Sequence, residues 1–199
     1  MNATNNAQQR ALLNQQSGTF DSRGERLDWT YYDSQDLAVA VTEFTLFQAG
    51  LGTAGKTLAD TNMPQNGQIP QGQKFKIHNI SVFLSTPRLA SADIVSLNTL
   101  LMETSTEFQI VNKRPMGQWT LAQLMGAPLL APLTPAVAGD NEPFSSVGRF
   151  VGVYPINVPI TLAALTPFGV KVVHHTAVAA ALATTVLRVC LNGVLSAQS

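Results

Sequence analysis

The stretch "GQKFKIHNISVFL", Gly72 to Leu84, is rich in β-favouring residues, but its alternation changes parity in the middle. Its apolar residues form two sets that are each spaced by two: Phe75 with Ile77, and Ile80 with Val82 and Leu84. Side chains alternate strictly along a strand, so this change moves the apolar set to the opposite face. A β-bulge, which is one extra residue in the strand, would bring both sets back to one face and bend the strand. The alternative is a strand that is buried on both faces.

Outward from this strand, apolar segments alternate with Gly, Pro and Asn turns, as is typical of an all-β protein. Further strands are predicted at 37–47, 106–113, 148–165 (interrupted at Pro155 and Pro159), 168–175 and 185–195. Residues 48–73 are expected to form a long turn-rich connection. Four prolines within 127–143 exclude a central strand and indicate a surface connection. The Ala-rich segment 176–185 is compatible with helix or strand.

Two helices are predicted. In 91–103, apolar residues recur at helical spacing and Ser91 can cap the N-terminus. The second is a helix of one or two turns, in which Thr120 and Gln123 form a capping box and Gly126 serves as the C-cap.

The predicted fold is therefore an all-β jelly-roll sandwich of about eight strands in two sheets, with one or two short helices in the connections. Because helices do not alternate regularly with strands, a doubly wound α/β fold is not expected. Residues 37–199 are assigned to this single domain. Residues 1–36, which are polar and carry many charges, are assigned to a partly extended N-terminal arm in which the "LDWTYY" cluster, 27–32, is anchored.

Composition points to a protein with a covered surface. Only 12% of the 199 residues are charged, against roughly 25% in an average domain, and the net charge is zero. Few charges suggest that partners cover much of the surface, although a neutral soluble domain is the simpler alternative. A neutral chain lacks the basic footprint of phosphate-directed nucleic-acid binding. The lone Cys190 excludes an internal disulfide, and we expect it in an ordinary half-buried strand position.

The sequence suggests neither secretion nor a membrane span. The N-terminus lacks a basic start followed by an apolar core, and no apolar run reaches the roughly 18 residues that a span needs. We therefore expect the protein to be made and assembled in a cytoplasm.

No catalytic, cofactor-binding or metal-binding residues are predicted, and the protein is not expected to be an enzyme. His174 and His175 are adjacent in a predicted strand and point to opposite faces, and His78 lies on the predicted solvent side. There is no G-x-S-x-G motif. Acidic residues after Glu43 are interpreted as caps or solubilising charges. A pair of carboxylates that catalyses glycoside hydrolysis stays an alternative.

The segment "GLGTAGKT", 50–57, fits the literal pattern G-x-x-x-x-G-K-[ST]. A phosphate-binding loop must leave a buried strand and open a helix. The residues that follow, "LADTNMPQNGQIP", would break a helix within two turns, so a turn-rich loop is predicted instead.

From residue 37 onward the chain resembles the single jelly-roll coat proteins of tailless icosahedral bacteriophages and related viruses. The resemblance lies, in order, in "VTEFTLF", "IPQGQKFKIHNISVFL", a helix followed by "STEFQIVNKRPMGQW", and the closing "TTVLRVCLNGVL". It implies a non-enzymatic capsid subunit that assembles with copies of itself into trimers or hexameric capsomers. It also implies a location in the virion, with a second capsid protein or an internal membrane as further partners. The arm, which is not basic, suggests no direct sequence-specific nucleic-acid binding.

Two other functions stay open at this point. One is a minor virion protein such as a decoration, spike or vertex protein, and the other is a glycan-binding jelly-roll module.

Overall fold

The structure is a computed structural model that describes residues 26–39, 41–86, 93–111, 115–126 and 149–197. Its strands are β1 Arg26–Asp36, β2 Glu43–Leu46, β3 Gln73–Ser85, β4 Thr104–Ile110, β5 Gly117–Thr120, β6 Arg149–Leu162, β7 Phe168–His174 and β8 Val186–Ala197. The helices are α1 Asp93–Glu103, α2 Leu121–Met125 and a short 3-10 helix, Ala180–Leu182. The predicted surface connection at 127–143 lies outside the described residues.

The eight strands form two antiparallel four-stranded sheets, in the orders β1-β8-β3-β6 and β2-β7-β4-β5. The first strand therefore pairs with the eighth, the second with the seventh, the third with the sixth and the fourth with the fifth. This nesting is the wiring of a jelly roll, in which one long folded hairpin supplies both sheets. The predicted fold class is confirmed.

The bulge predicted in the opening stretch is also confirmed. Ile77 pairs with Gly193 of β8 and Asn79 pairs with Asn192, so His78 is the extra residue. As a result, both apolar sets of β3 face the core, and all five side chains are buried: Phe75, Ile77, Ile80, Val82 and Leu84. The alternative of a strand buried throughout on both faces is wrong, because Phe83 is exposed.

The same irregularity is larger on the neighbouring strand. Ile77 pairs with Ile160 of β6 and Asn79 with Pro155, so residues 156–159 stand opposite the single residue His78. The sequence predicted a break at Pro155 and Pro159, and here it is an outward excursion within one continuous strand. β6 is an edge strand, which is where a sheet tolerates proline.

The predicted boundary at residue 36 is wrong for residues 26–36. These residues form β1, which pairs with β8 at every position from Arg26 to Asp36. Tyr31 is buried and packs edge-to-face on Phe75, with ring centroids 5.0 Å apart. The aromatic cluster was expected to be anchored, and in the structure it is part of a strand of the first sheet. Residues 1–25 lie outside the described residues.

The predicted strand at 37–47 is much shorter in the structure. Only Glu43–Leu46 forms a strand, and Leu37 lies in the β1–β2 connection, where its N–H donates to the Thr185 carbonyl. Among the described residues, the core between the sheets is centred on four fully buried rings: Phe47, Phe75, Phe108 and Phe168.

The connections fall at two ends of the sandwich. The helical end carries the β1–β2, β3–β4, β5–β6 and β7–β8 connections, with α1 and α2 among them. The loop end carries the β2–β3, β4–β5 and β6–β7 connections. In α2 the Thr120 hydroxyl accepts from the Gln123 N–H, the Gln123 side chain accepts from the Thr120 N–H, and Gly126 adopts φ 56° as C-cap. Both helix predictions are confirmed, apart from the cap at Ser91, which lies outside the described residues. Within the described ranges, neither helix is long and apolar enough to cross a bilayer.

Candidate functional site

The two adjacent histidines point to opposite sides of the second sheet, as predicted. His174 is buried, and its Nδ1 lies 2.8 Å from the Thr104 hydroxyl. His175 is exposed, and its Nε2 lies 3.0 Å from the Ser105 hydroxyl. Burial, with a smaller contribution from His175, lowers the pKa of His174, so its neutral form is favoured. The Ser105–His175 contact places a hydroxyl beside a base, but no acidic side chain is hydrogen-bonded to His175 within the described ranges.

Three charged side chains on the outer face of the second sheet are held by an ion pair or by hydrogen bonds. Lys171 forms a 2.9 Å ion pair with Glu43, which raises the pKa of Lys171. Glu107 accepts hydrogen bonds from Gln109 and Gln118, and these bonds lower its pKa. No group of three or more His, Cys, Asp or Glu side chains in the described part of the chain could hold a metal ion. That the protein has no catalytic, cofactor or metal site stays a prediction.

Acidic residues in turns serve as caps, as the sequence suggested for Asp60. Its carboxylate accepts 2.9 Å hydrogen bonds from both the N–H and the hydroxyl of Thr57. These two bonds lower the pKa of Asp60. Glu107, by contrast, lies within β4, on the outer face of the second sheet.

The loop with the phosphate-loop pattern holds no free lysine. The Lys56 ammonium donates to the Asp33 carboxylate at 2.8 Å and to the Ser34 carbonyl. Residues 57–72, all of which are described, form turns and isolated bridges instead of a helix. The geometry of a nucleotide site is therefore not met, and the turn-rich loop predicted in its place is confirmed.

This loop instead covers the free edge of β1. The Asn62 side chain accepts from the Tyr32 N–H at 2.8 Å and donates to the Thr30 carbonyl at 2.7 Å, as a paired strand would. Asp33 also accepts from the Phe47 N–H at 2.5 Å, which ties β1 to the second sheet. Edge strands present unpaired backbone groups that invite other chains, and a loop that satisfies them prevents such pairing.

The other edges are protected as well. β6 is interrupted by two prolines and the four-residue excursion, and the edges of the second sheet, β2 and β5, have four residues each. Short, bulged or proline-bearing edges do not support strand addition. Contacts with other molecules would therefore be made by side chains.

Exposed apolar side chains supply candidates for such contacts. On β3 and β6, at one edge of the first sheet, Phe83 is 37% exposed, Val153 62% and Val158 80%. We call these three residues the β6-edge patch. The outward-facing positions beside it include the neutral residues Ser81, Cys190, Asn192, Thr30 and Asn79, and the charged Arg188, which pairs with Phe83. Cys190 is nearly fully buried rather than half-buried, and burial raises the pKa of its thiol to about 11, so the thiol is not activated.

A second group lies at the helical end. Val95 and Met102 of α1 are more than half exposed, and Val39 in the β1–β2 connection is 52% exposed. Beside α1, a depression of about 200 Å³ is lined by Val95, Leu100, Val178 and Leu182 together with polar residues. Sequence reasoning missed both groups, because only the register shows which apolar residues point away from the core.

Comparison with known proteins adds no assignment: no protein-family model matches the chain, and no curated protein matches it.

Proposed function

We propose that the protein is a self-assembling jelly-roll subunit that forms the shell of an icosahedral virus particle, with a bacteriophage as the source, through homo-oligomeric capsomers. The jelly-roll wiring of both sheets supports this proposal, since many viral coats use it. A fold alone does not assign a function, so the proposal rests on the surface.

The observation that carries the proposal is a set of exposed apolar side chains on a chain with few charges. Val158, Val153 and Phe83 at the β6 edge, and Val95 and Met102 at the helical end, offer apolar area in at least two places. Exposed apolar clusters on soluble proteins mark interaction sites. A subunit of a closed shell contacts neighbours on several sides, so it needs more than one such site.

The protected edges support assembly in a closed shell over fibre formation. Because loop 48–72 covers β1 and prolines interrupt β6, backbone pairing between subunits is blocked at both edges of the first sheet. Side-chain contacts can fix an angle between neighbours, whereas open strand addition propagates without limit.

The proposed partners are other copies of this chain, in trimers or hexameric capsomers, with a second capsid protein or an internal membrane as additional neighbours. A net charge of zero gives no overall excess of basic residues for the genome, so direct sequence-specific nucleic-acid binding is not part of the proposal. The proposed location is the virion, after assembly in the host cytoplasm, and no catalytic role is proposed.

Light scattering of the purified full-length chain tests this function, with variants that place charge on the exposed apolar positions. Val153→Lys and Val158→Lys alter the β6-edge patch, and Val95→Lys with Met102→Lys alters the helical end. Gln35→Lys, at an exposed polar position of β1, is the matched control.

The wild type and the control are expected to form large particles or discrete oligomers. At least one lysine pair should leave a folded species near the chain mass of 21.3 kDa. A wild type that stays monomeric at high concentration under several salt conditions would contradict the proposal.

A further inference from the structure

A depression lies at the loop end, across the outer face of the second sheet. Its volume is about 620 Å³, within the range of roughly 300–1,000 Å³ that is usual for ligand sites. The β2–β3 connection supplies Gln48, Asn66 and Gly67, and β4 supplies Glu107 and Gln109. It belongs to neither group of exposed apolar side chains.

The depression is open because two of its lining residues are glycines. Gly169 of β7 lies in the depression, and a Cβ atom there would come within 2.8 Å of the Gln48 Nε2 and the Thr45 Cγ2. The Gln48 amide can therefore cross the strand, and its Nε2 donates to the Phe168 carbonyl at 3.4 Å. Gly67 adopts φ +58°, a conformation that favours glycine. The two glycines leave room between side chains that carry amide groups.

Several polar atoms in the depression have no partner among the described residues. Asn66 uses its Oδ1 to accept from the Gly50 N–H at 2.7 Å, which leaves its Nδ2 donor. Gln109 uses its Nε2 to donate to Glu107 at 2.9 Å, which leaves its Oε1 acceptor. The Oε1 of Gln48 is a further acceptor. In each of these three amide groups, one polar atom is already hydrogen-bonded within the protein and the other is available to a ligand.

The charge in the depression restricts the ligand. Glu107 is the one charged side chain among the described lining residues. Hydrogen bonds from Gln109 and Gln118 favour its ionised form. An ionised carboxylate repels phosphates, sulfates and acidic sugars at close range, whereas hydroxyl groups can donate to it. The Lys171 ammonium, whose charge contributes to lowering the pKa of Glu107, is held in an ion pair with Glu43.

We propose that this depression binds a neutral saccharide, with sugar hydroxyls hydrogen-bonded to the side chains of Gln48, Asn66, Gln109 and Glu107. Each hydroxyl both donates and accepts, which matches the mixture of free amide atoms. Pro115, Pro167 and Val111 line the same depression and supply apolar surface for the C–H faces of a sugar ring. This binding activity goes beyond the proposed shell-forming function, and neither depends on the other.

An array of neutral oligosaccharides, built from hexoses and N-acetylhexosamines, tests the proposal on the full-length chain. Sulfated and sialylated glycans and a panel of peptides are included on the same array. The strongest binder is then titrated against the wild type, Gln109→Ala, Gln48→Ala and the control Gln35→Ala, which lies on β1 in the first sheet. Backbone amide shifts of Gly67 and Gly169 on titration of the wild type give a readout that needs no variant.

We expect saturable binding of a neutral saccharide, with shifts at both glycines. Gln109→Ala and Gln48→Ala should each weaken it about tenfold, as for the loss of one hydrogen bond, and Gln35→Ala should leave it unchanged. The proposal is overturned if no neutral saccharide binds, if only acidic glycans or peptides bind, or if the shifts fall elsewhere.

Discussion

Two glycines of the first sheet lie where any side chain would meet backbone. A Cβ atom on Gly152 would stand 2.0 Å from the Met125 Cα, because α2 packs directly on β6. A Cβ atom on Gly193 would stand 1.9 Å from the Lys76 carbonyl oxygen, next to the bulge. Glycine normally weakens a strand, so its presence in β6 and β8 is explained by these close approaches.

Replacing Gly152 by Ala should therefore be severe. We expect Gly152→Ala to lower the free energy of unfolding by about 3 kcal/mol, because the obstructing atoms are backbone and cannot rotate away. Gly72→Ala is the comparison: Gly72 has open space around its Cβ position but a φ of +76°, so only about 1 kcal/mol of strain is expected. Chemical denaturation measures both, and equal effects would show that helix packing does not fix Gly152.

His174 should make the fold sensitive to mild acid. Burial lowers its pKa in the folded state, so below about 6.5 the unfolded chain binds a proton that the folded chain resists. The free energy of unfolding should therefore fall as pH drops through this value. The lowered pKa values of Asp60 and Glu107 act in a separate window, since the stability they contribute is lost below about pH 4.

The measurement is thermal unfolding between pH 7.5 and 5 for the wild type, His174→Gln and His175→Gln. The His174 variant should show a flatter pH dependence than the wild type. The His175 variant, altered at the exposed neighbour, should flatten the profile much less, because His175 makes the smaller contribution to the lowered pKa of His174. If His175→Gln flattens the profile more than His174→Gln does, the buried imidazole is not the responsible group.

Single residues were the hardest features to foresee from the sequence. The capping box of Thr120 and Gln123 was predictable, because its partners are three residues apart. The Lys56–Asp33 ion pair joins residues that are far apart in sequence, and no local pattern reveals it. The sequence predicted a turn-rich loop around Lys56 despite the literal phosphate-loop pattern, but only the fold shows that the Lys56 ammonium is paired with a carboxylate.

At the scale of elements, β3 is the strand on which the first sheet depends. It pairs with both β6 and β8, and its register shifts at the same place on each side. Two apolar sets of opposite parity can face one core only because His78 is inserted between them.

Deleting His78 should therefore prevent folding, while His78→Ala should be tolerated. The deletion would turn either Phe75 and Ile77 or the three later apolar residues away from the core. Each large apolar side chain lost from the core costs about 1.5–3 kcal/mol, against a total stability of about 5–15 kcal/mol. Soluble yield and circular dichroism of both variants test this, and a deletion variant that folds with unchanged stability would remove the argument for the bulge.

The cover on β1 leads to another prediction at this scale. Asn62→Ala removes both side-chain hydrogen bonds to the edge of β1, so we expect faster association through exposed backbone. Asn157→Ala, at an exposed position in the β6 excursion, is the matched control. Aggregation kinetics by thioflavin fluorescence distinguish them, and identical kinetics would show that the Asn62 side chain does not protect the edge.

Strands and helices could be predicted where their residues show a local periodic pattern, and they were missed where the local composition suggested another structure. β3, β7, β8 and both helices carry clear periodicity. β1 was assigned to an arm because its outward positions are polar, as at Asp28 and Thr30, and it is preceded by a polar segment. Its inward residues follow strand alternation, but an edge strand with a polar outer face has the composition of an extended tail.

For the whole molecule, the domain boundary follows from the strand pairing. A chain without residues 1–25 retains all eight described strands, so we expect it to form a folded domain. Removal of residues 1–36 deletes an eleven-residue strand and should abolish folding. Proteolytic resistance and circular dichroism of the two truncations distinguish these outcomes, and a folded protein lacking residues 1–36 would restore the boundary predicted from composition.

The surfaces were the least predictable feature of the whole molecule. The low charge predicts that part of the surface is covered by partners, but it does not predict which part. The β6-edge patch depends on the register that points Phe83 and Val153 outward, and the depression at the loop end depends on three connections that meet only in the fold.

Electron microscopy of the purified full-length chain tests the central claim most directly, namely that the sides of this jelly roll are covered by further copies of itself. Closed shells, or regular arrays of trimeric or hexameric units, are the result that we predict. A field of isolated single subunits at every concentration and salt condition would contradict it.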